Sequence, residues 1–121
     1  RIHEKIKNIG NSNNITIECK QSNSENEIIE WIQNAKNNFK AIVINAGGYT
    51  HTSVSIRDAL KLFDELVIEI HMSNIHSRED FRHKSMISGV SSGIIIGFGD
   101  QSYYLAVNAA INKISGEKNY G

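Results

Sequence analysis

Residues 41–44 have the sequence Ala-Ile-Val-Ile, which is apolar at every position. A strand that faces water on one side alternates apolar and polar residues, so an unbroken apolar run is typical of a parallel strand buried on both faces. Residues 66–70 and 93–96 predict two more short strands, and segments with apolar residues at helical spacing separate the three. This alternation predicts an α/β, doubly wound domain in which helices cover both faces of a parallel sheet.

The remaining segments predict four helices and one further strand. The first helix is expected over residues 2–9 and is expected to end at Gly10. Residues 15–18 alternate apolar and polar side chains, which predicts a half-buried strand. The last helix is expected over residues 101–114, and a short amphipathic stretch over residues 79–87. The candidate N-caps are Asn23 or Ser24 for the second helix and Thr52 or Ser53 for the third.

The order of these elements leaves a gap at the start of the sheet. The first strand of a doubly wound sheet usually lies in its middle, yet this sequence opens with a helix. We therefore expect either a four-stranded variant or a sheet whose first strand is missing. With 121 residues, the chain is expected to form one domain.

Composition excludes several functional classes. The 13 Lys and Arg residues balance the 13 Asp and Glu residues, so we expect no nucleic-acid partner and no anionic membrane surface as a partner. The single cysteine, Cys19, excludes an internal disulfide and fits a reducing compartment. No apolar run approaches the roughly 18 residues of a membrane span, and the first residues do not resemble a signal peptide.

Polar residues follow the carboxyl ends of the predicted strands, where open parallel sheets bind ligands. Four of the five histidines lie in residues 45–53 or in the connection 71–92. A connection of that length in a small α/β domain is more often functional than filler. Asn45, Asn74 and other neutral donors accompany the histidines. Such a site suits a small polyhydroxylated acid, whose carboxylate would be held by Arg82 on one side and by Ser73 with backbone N–H groups on the other.

Plainer interpretations of these residues stay open. A histidine at a strand end is more often a structural hydrogen-bonding residue than a catalytic one. Arg78 and Arg82, with the acidic residues between them, would also suit a solvated helical face. Tyr103 and Tyr104 are expected to be a packing pair, one inward and one outward.

Three other chemistries fit poorly. A zinc site of the HExxH type needs two histidines four residues apart on a helix, a spacing that His71 and His76 lack. No G-x-S-x-G motif of a serine hydrolase occurs. Gly97-Phe98-Gly99 is too short and too late in the chain for a nucleotide-binding loop.

The same segments resemble one family. Residues 45–53, Asn-Ala-Gly-Gly-Tyr-Thr-His-Thr-Ser, are similar to the N-P-G-A-Y-T-H-T-S motif of type II 3-dehydroquinate dehydratases. Residues 69–82 resemble the family's E-V-H-L-S-N-I-H-x-R-E-x-F-R, and residues 21–27 resemble its Q-S-N-H-E-G-E. Residues 57–60 follow at the family's spacing, and residues 97–99 match its late G-x-G. The motifs stand in the family's order over nearly the whole chain.

This resemblance implies a flavodoxin-like, three-layer doubly wound parallel sheet whose first strand is missing, as a single domain over residues 1–121. It implies a lyase of the shikimate pathway that dehydrates 3-dehydroquinate to 3-dehydroshikimate by an anti elimination through an enolate. No metal or other cofactor is implied. The family also implies a cytoplasmic homo-oligomer, a dodecamer built as a tetramer of trimers.

The resemblance also implies roles for individual residues. His71 would protonate the departing hydroxyl, and Asn45 and Glu69 would complete the catalytic group. Imidazole exchanges a proton near neutral pH, which suits this role. The residues implied to contact substrate are Asn45, His51, Met72, Ser73 and Arg82, with Asp58 reaching the site of a neighbouring subunit.

Some residues depart from the family pattern. Ala46 stands where the family has proline and Gly48 where it has another small residue, and both changes free the backbone. Ser24 and Asn26 stand where the family has histidine and glycine.

The largest departure concerns the family's catalytic base. The family opens with G-P-N-x-N-x-L-G and an R-x-P-x-x-Y-G loop, whose tyrosine removes the C2 proton, and nothing here matches either. Tyr49 belongs to another motif, and the pair Tyr120-Gly121 lies at the wrong end of the chain. We therefore expect little or no turnover by these 121 residues alone. The alternative hypothesis is a non-catalytic paralogue or short form that binds a small acid.

Overall fold

A computed structural model describes residues 1–116, so Tyr120 and Gly121 lie outside the described residues. Those 116 residues contain four α-helices, three strands and four short 3₁₀ turns. In chain order the helices and strands are α1 (Ile2–Ser12), α2 (Glu25–Ala35), β1 (Ala41–Ile44), α3 (Val54–Leu62), β2 (Leu66–His71), β3 (Gly93–Ile96) and α4 (Gln101–Gly116). The 3₁₀ turns cover Gly47–His51, Ile75–Ser77, Asp80–His83 and Ser88–Val90.

The three strands form a parallel sheet in the order β1-β2-β3. Ala41 pairs with Leu66, and Ile68 pairs with Gly93, so β2 is hydrogen-bonded on both sides. Helices α2 and α3 pack on one face and α4 on the other. This confirms the predicted α/β architecture with helices on both faces of a parallel sheet.

Alternation along β2 divides its side chains between the two faces. Successive side chains of a strand point to opposite faces of the sheet. Val67 packs with α2 and α3, whereas Ile68 and Ile70 pack against α4. Residues 69 and 71 follow the direction of Val67, which brings the two polar side chains of the strand to one face.

Two serine caps fix the starts of α2 and α3. Ser24 Oγ accepts from Glu27 N at 3.2 Å, and Ser53 Oγ accepts from Ile56 N at 2.9 Å. Of the candidate caps, Ser24 and Ser53 are therefore confirmed. The Ser53 hydroxyl also donates to Glu25, which ties the start of α3 to the start of α2. In residues 1–116 no helix is long and apolar enough to span a membrane.

Two predicted helix boundaries are wrong. Helix α1 continues through Gly10 to Ser12, because Gly10 serves close packing rather than a chain break. The amphipathic stretch over residues 79–87 contains the turn Asp80–His83, and a further turn follows at Ser88–Val90. The last helix extends two residues beyond the predicted end, to Gly116.

The predicted strand over residues 15–18 is also wrong. No strand lies beside it in the described part of the chain, and Ile15 N instead donates to Gly10 O at 2.8 Å. Ile15 and Ile17 pack in an apolar cluster with Val107 and other residues of α1 and α4. The alternation therefore reflects burial of one side of an extended segment, and the sheet has three strands rather than four.

The packing at Gly10 gives a stability prediction. A Cβ at this position would lie 2.7 Å from Ile15 O and 2.9 Å from two side-chain carbons of Ile17. Because a backbone oxygen cannot swing aside, we expect Gly10→Ala to lower the free energy of unfolding by about 2 kcal/mol, measured by urea denaturation. The control is Gly93→Ala, where an added Cβ meets nothing within 4 Å. Equal stability of the two variants would contradict the packing argument.

Candidate active site

An open cleft of about 200 Å³ lies beyond the carboxyl ends of β1 and β2. Open parallel sheets bind ligands at this edge. The lining comes from the turn after β1, from the segment after β2 and from two arginines further along the connection. The lining residues are Asn45, Gly47, Gly48, His51, His71, Met72, Ser73, Ile75, Arg78 and Arg82.

The structure brings six of the eight predicted site residues to this cleft and places two outside it. Glu69 is fully buried behind His71 and does not line the cleft. Asp58 lies exposed on α3, where it pairs with Arg57 at 3.0 Å. The six residues that line the cleft are Asn45, His51, His71, Met72, Ser73 and Arg82.

Glu69 and His71 form a buried pair. They are two residues apart on β2, so their side chains share a face. His71 Nε2 lies 2.5 Å from Glu69 Oε2, and His71 is 5% exposed. A carboxylate oxygen accepts, so Nε2 carries the proton of this hydrogen bond. The ring therefore has Nδ1 left to exchange a proton with a ligand.

The pKa of Glu69 lies below its ordinary value. Burial alone raises the pKa of a carboxyl group. Hydrogen bonds from His71, Ser88 and Ser85 lower it and outweigh the burial. Glu69 is therefore a charged carboxylate at neutral pH.

The second cleft histidine, His51, is also held by one nitrogen. Its Nδ1 donates to the backbone oxygen of Lys84 at 2.7 Å, which leaves Nε2 for a ligand. The ring stacks on His71 with 6.4 Å between centroids, and the Phe81 ring lies nearly perpendicular to it with 6.0 Å between centroids. The cleft thus presents one free nitrogen from each imidazole.

Both ends of the Asn45 amide are engaged. Oδ1 accepts from Gly47 N at 3.1 Å, and Nδ2 donates to Tyr103 Oη at 3.2 Å. Gly47 has φ +58°, a conformation that favours glycine. These two hydrogen bonds fix the orientation of the Asn45 amide in the cleft lining. The second N–H of Nδ2 is left free for a ligand. Tyr103 was expected only to pack, so this polar contact is a finding.

Glycines in the last loop support the segment after β2. Gly97 N donates to His71 O at 2.9 Å, and Gly99 N donates to Met72 O at 2.8 Å. Both glycines have positive φ. The late Gly-x-Gly therefore holds the backbone beneath the cleft, consistent with its failure to match a nucleotide-binding loop.

The two arginines give the cleft its positive side. Arg82 Nε donates to Glu79 at 3.0 Å, and its guanidinium lies 4.7 Å from the Phe81 ring centroid. Residues 80–83 form one 3₁₀ turn, and the exposed Glu79–Arg82 pair is the i,i+3 pair of the solvated-face interpretation, while Arg82 also lines the cleft. Arg78 lines the cleft as well, although the sequence suggested no such role. Within residues 1–116 no three His, Cys, Asp or Glu side chains form a group suited to a metal ion.

Sequence reasoning also missed the residues that support the two histidines. Lys84 holds His51 through its backbone oxygen, while Ser85 and Ser88 donate to Glu69 at 2.9 and 2.5 Å. The only signal was the length of the connection 71–92. No spacing rule indicates which serine of a connection reaches a buried carboxylate.

Known proteins resemble this chain closely in sequence. Residues 1–111 match the family described as dehydroquinase class II. The 3-dehydroquinate dehydratase of a Nitratiruptor species is 49% identical over 108 residues, which cover 89% of this chain and 69% of that relative. The 3-dehydroquinate dehydratase of Francisella philomiragia is 46% identical over 114 residues, which cover 94% and 77% of the two chains.

Solved structures agree with this result. The crystal structure of type II dehydroquinase from Butyrivibrio crossotus matches with a TM-score of 0.87 and 43% identity, over 90% of this chain and 77% of that one. The type II dehydroquinase of Propionibacterium acnes matches with a TM-score of 0.87 and 32% identity, over 92% and 82% of the two chains.

The buried carboxylate predicts a pH-dependent stability. A pKa lowered by folding stabilises the folded state above the unfolded pKa of about 4.3, and this contribution is lost as pH falls toward the folded pKa. We expect Glu69→Gln to lower the free energy of unfolding by about 2 kcal/mol at pH 7. The difference from the original chain should shrink below about pH 4.5, as followed by urea denaturation at each pH. Glu30→Gln, at an exposed carboxylate of α2, is the control. A difference that stays constant down to about pH 3 would contradict the assignment.

Proposed function

The chain belongs to the class II dehydroquinase family, and on that basis we propose that its protein removes water from 3-dehydroquinate to give 3-dehydroshikimate. The observation that carries the proposal is the buried Glu69–His71 pair at the base of a cleft lined by neutral donors and arginines. A tertiary hydroxyl leaves poorly unless it is protonated, and this pair supplies a positioned proton donor.

In the proposed mechanism His71 donates from Nδ1 to the departing hydroxyl. Glu69 keeps a proton on Nε2 and faces the positive charge of the ring before transfer. The second N–H of Asn45 and other cleft donors stabilise the negative charge of the enolate as it develops. We propose no metal and no cofactor in this reaction.

Substrate recognition follows the charges of the cleft. We propose that Arg82 and Ser73, with the backbone at Met72 and Ser73, hold the substrate carboxylate. Asn45 and His51 would hold ring hydroxyls through their free polar atoms. This arrangement favours a small polyhydroxylated acid over an apolar ligand.

The proton at C2 needs a base, which the family places on a tyrosine in an R-x-P-x-x-Y-G loop. None of the described tyrosines near the cleft replaces it. The Tyr49 hydroxyl donates to Asn23 O at 2.9 Å, and the Tyr103 hydroxyl accepts from Asn45. We therefore assign the base to no residue of the described chain.

Assembly is part of the proposal. We propose a single flavodoxin-like domain over residues 1–121 that forms a homo-oligomer, a dodecamer arranged as a tetramer of trimers, in the cytoplasm. The carboxylate side chain of Asp58 is 62% exposed, which leaves it accessible to the site of a neighbouring subunit. The shikimate pathway is the proposed context.

A second candidate function is binding without turnover. It is favoured because the cleft has hydrogen-bond donors for an acid, whereas no described residue is placed to remove the C2 proton. Both candidates require ligand binding, so only turnover separates them.

The assay for dehydroshikimate tests the role of His71. In the catalytically competent protein we expect His71→Ala to reduce turnover by about 100-fold or more, because general acid catalysis contributes about that much. The enone absorbance of the product measures the rate, and circular dichroism checks the fold. His76→Ala is the control, since this exposed histidine does not line the cleft. Near-normal activity of His71→Ala would refute the assigned role.

The 121-residue chain separates the two candidate functions. We expect it to bind 3-dehydroquinate in a calorimetric titration. We expect its turnover rate to be lower than that of the Nitratiruptor relative by a factor of more than about ten, since no residue matches the family's catalytic tyrosine. Arg82→Ala should weaken the binding. A rate close to that of the relative would refute the binding-only candidate. It would also show that turnover does not need the family's loop tyrosine.

A further inference from the structure

We infer that Ser85 and Ser88 are positioning residues for His71, because their hydroxyls hold the Glu69 carboxylate that fixes the ring. The inference rests on the proposed function in one respect, that His71 is the proton donor. It adds two residues to the machinery that neither the motifs nor the cleft lining include.

The carboxylate of Glu69 has donors on both oxygens. Ser88 Oγ donates to Oε1 at 2.5 Å, and Ser85 Oγ donates to Oε2 at 2.9 Å. His71 Nε2 donates to the same Oε2 atom as Ser85, at 2.5 Å. Glu69 is 0% exposed, so these side chains take the place of water around the charge. A buried carboxylate without such donors takes up a proton instead.

Ser85 is itself aimed at the carboxylate. Its Oγ accepts from Ile87 N and from Ser88 N, both at 3.1 Å. Because both N–H groups occupy its lone pairs, the hydroxyl proton is directed to Glu69. Among the described residues, Ser88 Oγ hydrogen-bonds only to Glu69. Removing the Ser88 hydroxyl therefore disturbs fewer other contacts than removing that of Ser85.

The segment that carries the serines is anchored to the rest of the site. Met86 N donates to Thr50 O at 2.7 Å, and Ile87 is fully buried in the core between β2 and α3. Lys84, one residue before Ser85, accepts from His51. The position of each hydroxyl is therefore set by contacts independent of Glu69.

Removing the hydroxyls would raise the pH at which the proton shared by the pair moves from His71 to Glu69. With both serines present, Glu69 is charged and His71 keeps its Nε2 proton. Without them, His71 is the remaining donor and the carboxylate is less stabilised, so Glu69 takes up a proton, which it can donate to Nε2, at a higher pH than in the original chain. The ring would then be neutral with its proton on Nδ1, and the N–H of a neutral imidazole is a far weaker acid than that of an imidazolium ion, so it would donate poorly to the hydroxyl. The other charged or titratable groups facing His71 are His51, Arg78 and Arg82, which these substitutions leave in place.

Nuclear magnetic resonance of the 121-residue chain tests this inference without turnover. The probe is the titration of the Glu69 carboxyl carbon in chain labelled at glutamate, assigned by its loss in Glu69→Gln. We expect Ser88→Ala to raise the titration midpoint by about one pH unit, since a hydrogen bond to a charged group contributes roughly that much. Ser85→Ala should raise it as well. At pH values near the raised midpoint, the His71 ring should carry less proton on Nε2 in both variants than in the original chain.

Two matched variants complete the experiment. Ser91→Ala removes a hydroxyl from the same segment that donates to Ile87 O at 2.8 Å, and the midpoint should not move. Ser88→Thr keeps the hydroxyl and should restore the original midpoint. An unchanged midpoint in both Ser88→Ala and Ser85→Ala would overturn the inference, as would an equal shift in Ser91→Ala. If instead His71→Ala proves fully active, the proposed function fails while the titration result stands, so the two failures are distinguishable.

Discussion

A charged carboxylate lies in the central strand of this sheet, and the arrangement of the cleft depends on it. Glu69 is fully buried on β2, at a position where an apolar side chain would pack with less cost. The fold offsets that cost with three donors from two parts of the chain. The donors are His71 on the same strand and Ser85 and Ser88 on the connection that follows it. A single buried charge thus links the core to the chemistry.

Much of the sheet was predictable because its strands are short apolar runs between helices with capping serines. The failures have physical causes. The alternation at residues 15–18 reports burial on one side, and it carries no information about whether a neighbouring strand supplies ladder partners. Gly10 looked like a chain break because a sequence does not show which backbone another segment approaches. Both errors concern contacts between segments rather than local preference.

The residues that line the candidate site were predictable from the sequence, but the residues that support them were not. Strand ends of a parallel sheet meet at one edge, so polar residues after β1 and β2 could be placed together, and motif resemblance named them. The supporting residues could not be found this way. Tyr103 reaches Asn45 across 58 positions, and Ser85 and Ser88 reach Glu69 from a connection with no periodic pattern. Side chains that act through another residue leave little trace in spacing.

The connection 84–90 bears on how the molecule opens. It belongs to no strand or α-helix, whereas β2 is hydrogen-bonded on both sides. Segments of this kind open locally at lower free energy than central strands, so their amides exchange with solvent sooner. Each opening would release the supports of His51 and of Glu69 together, since both are held from this connection. We therefore expect the site to open more often than the sheet, at the rate at which this connection opens.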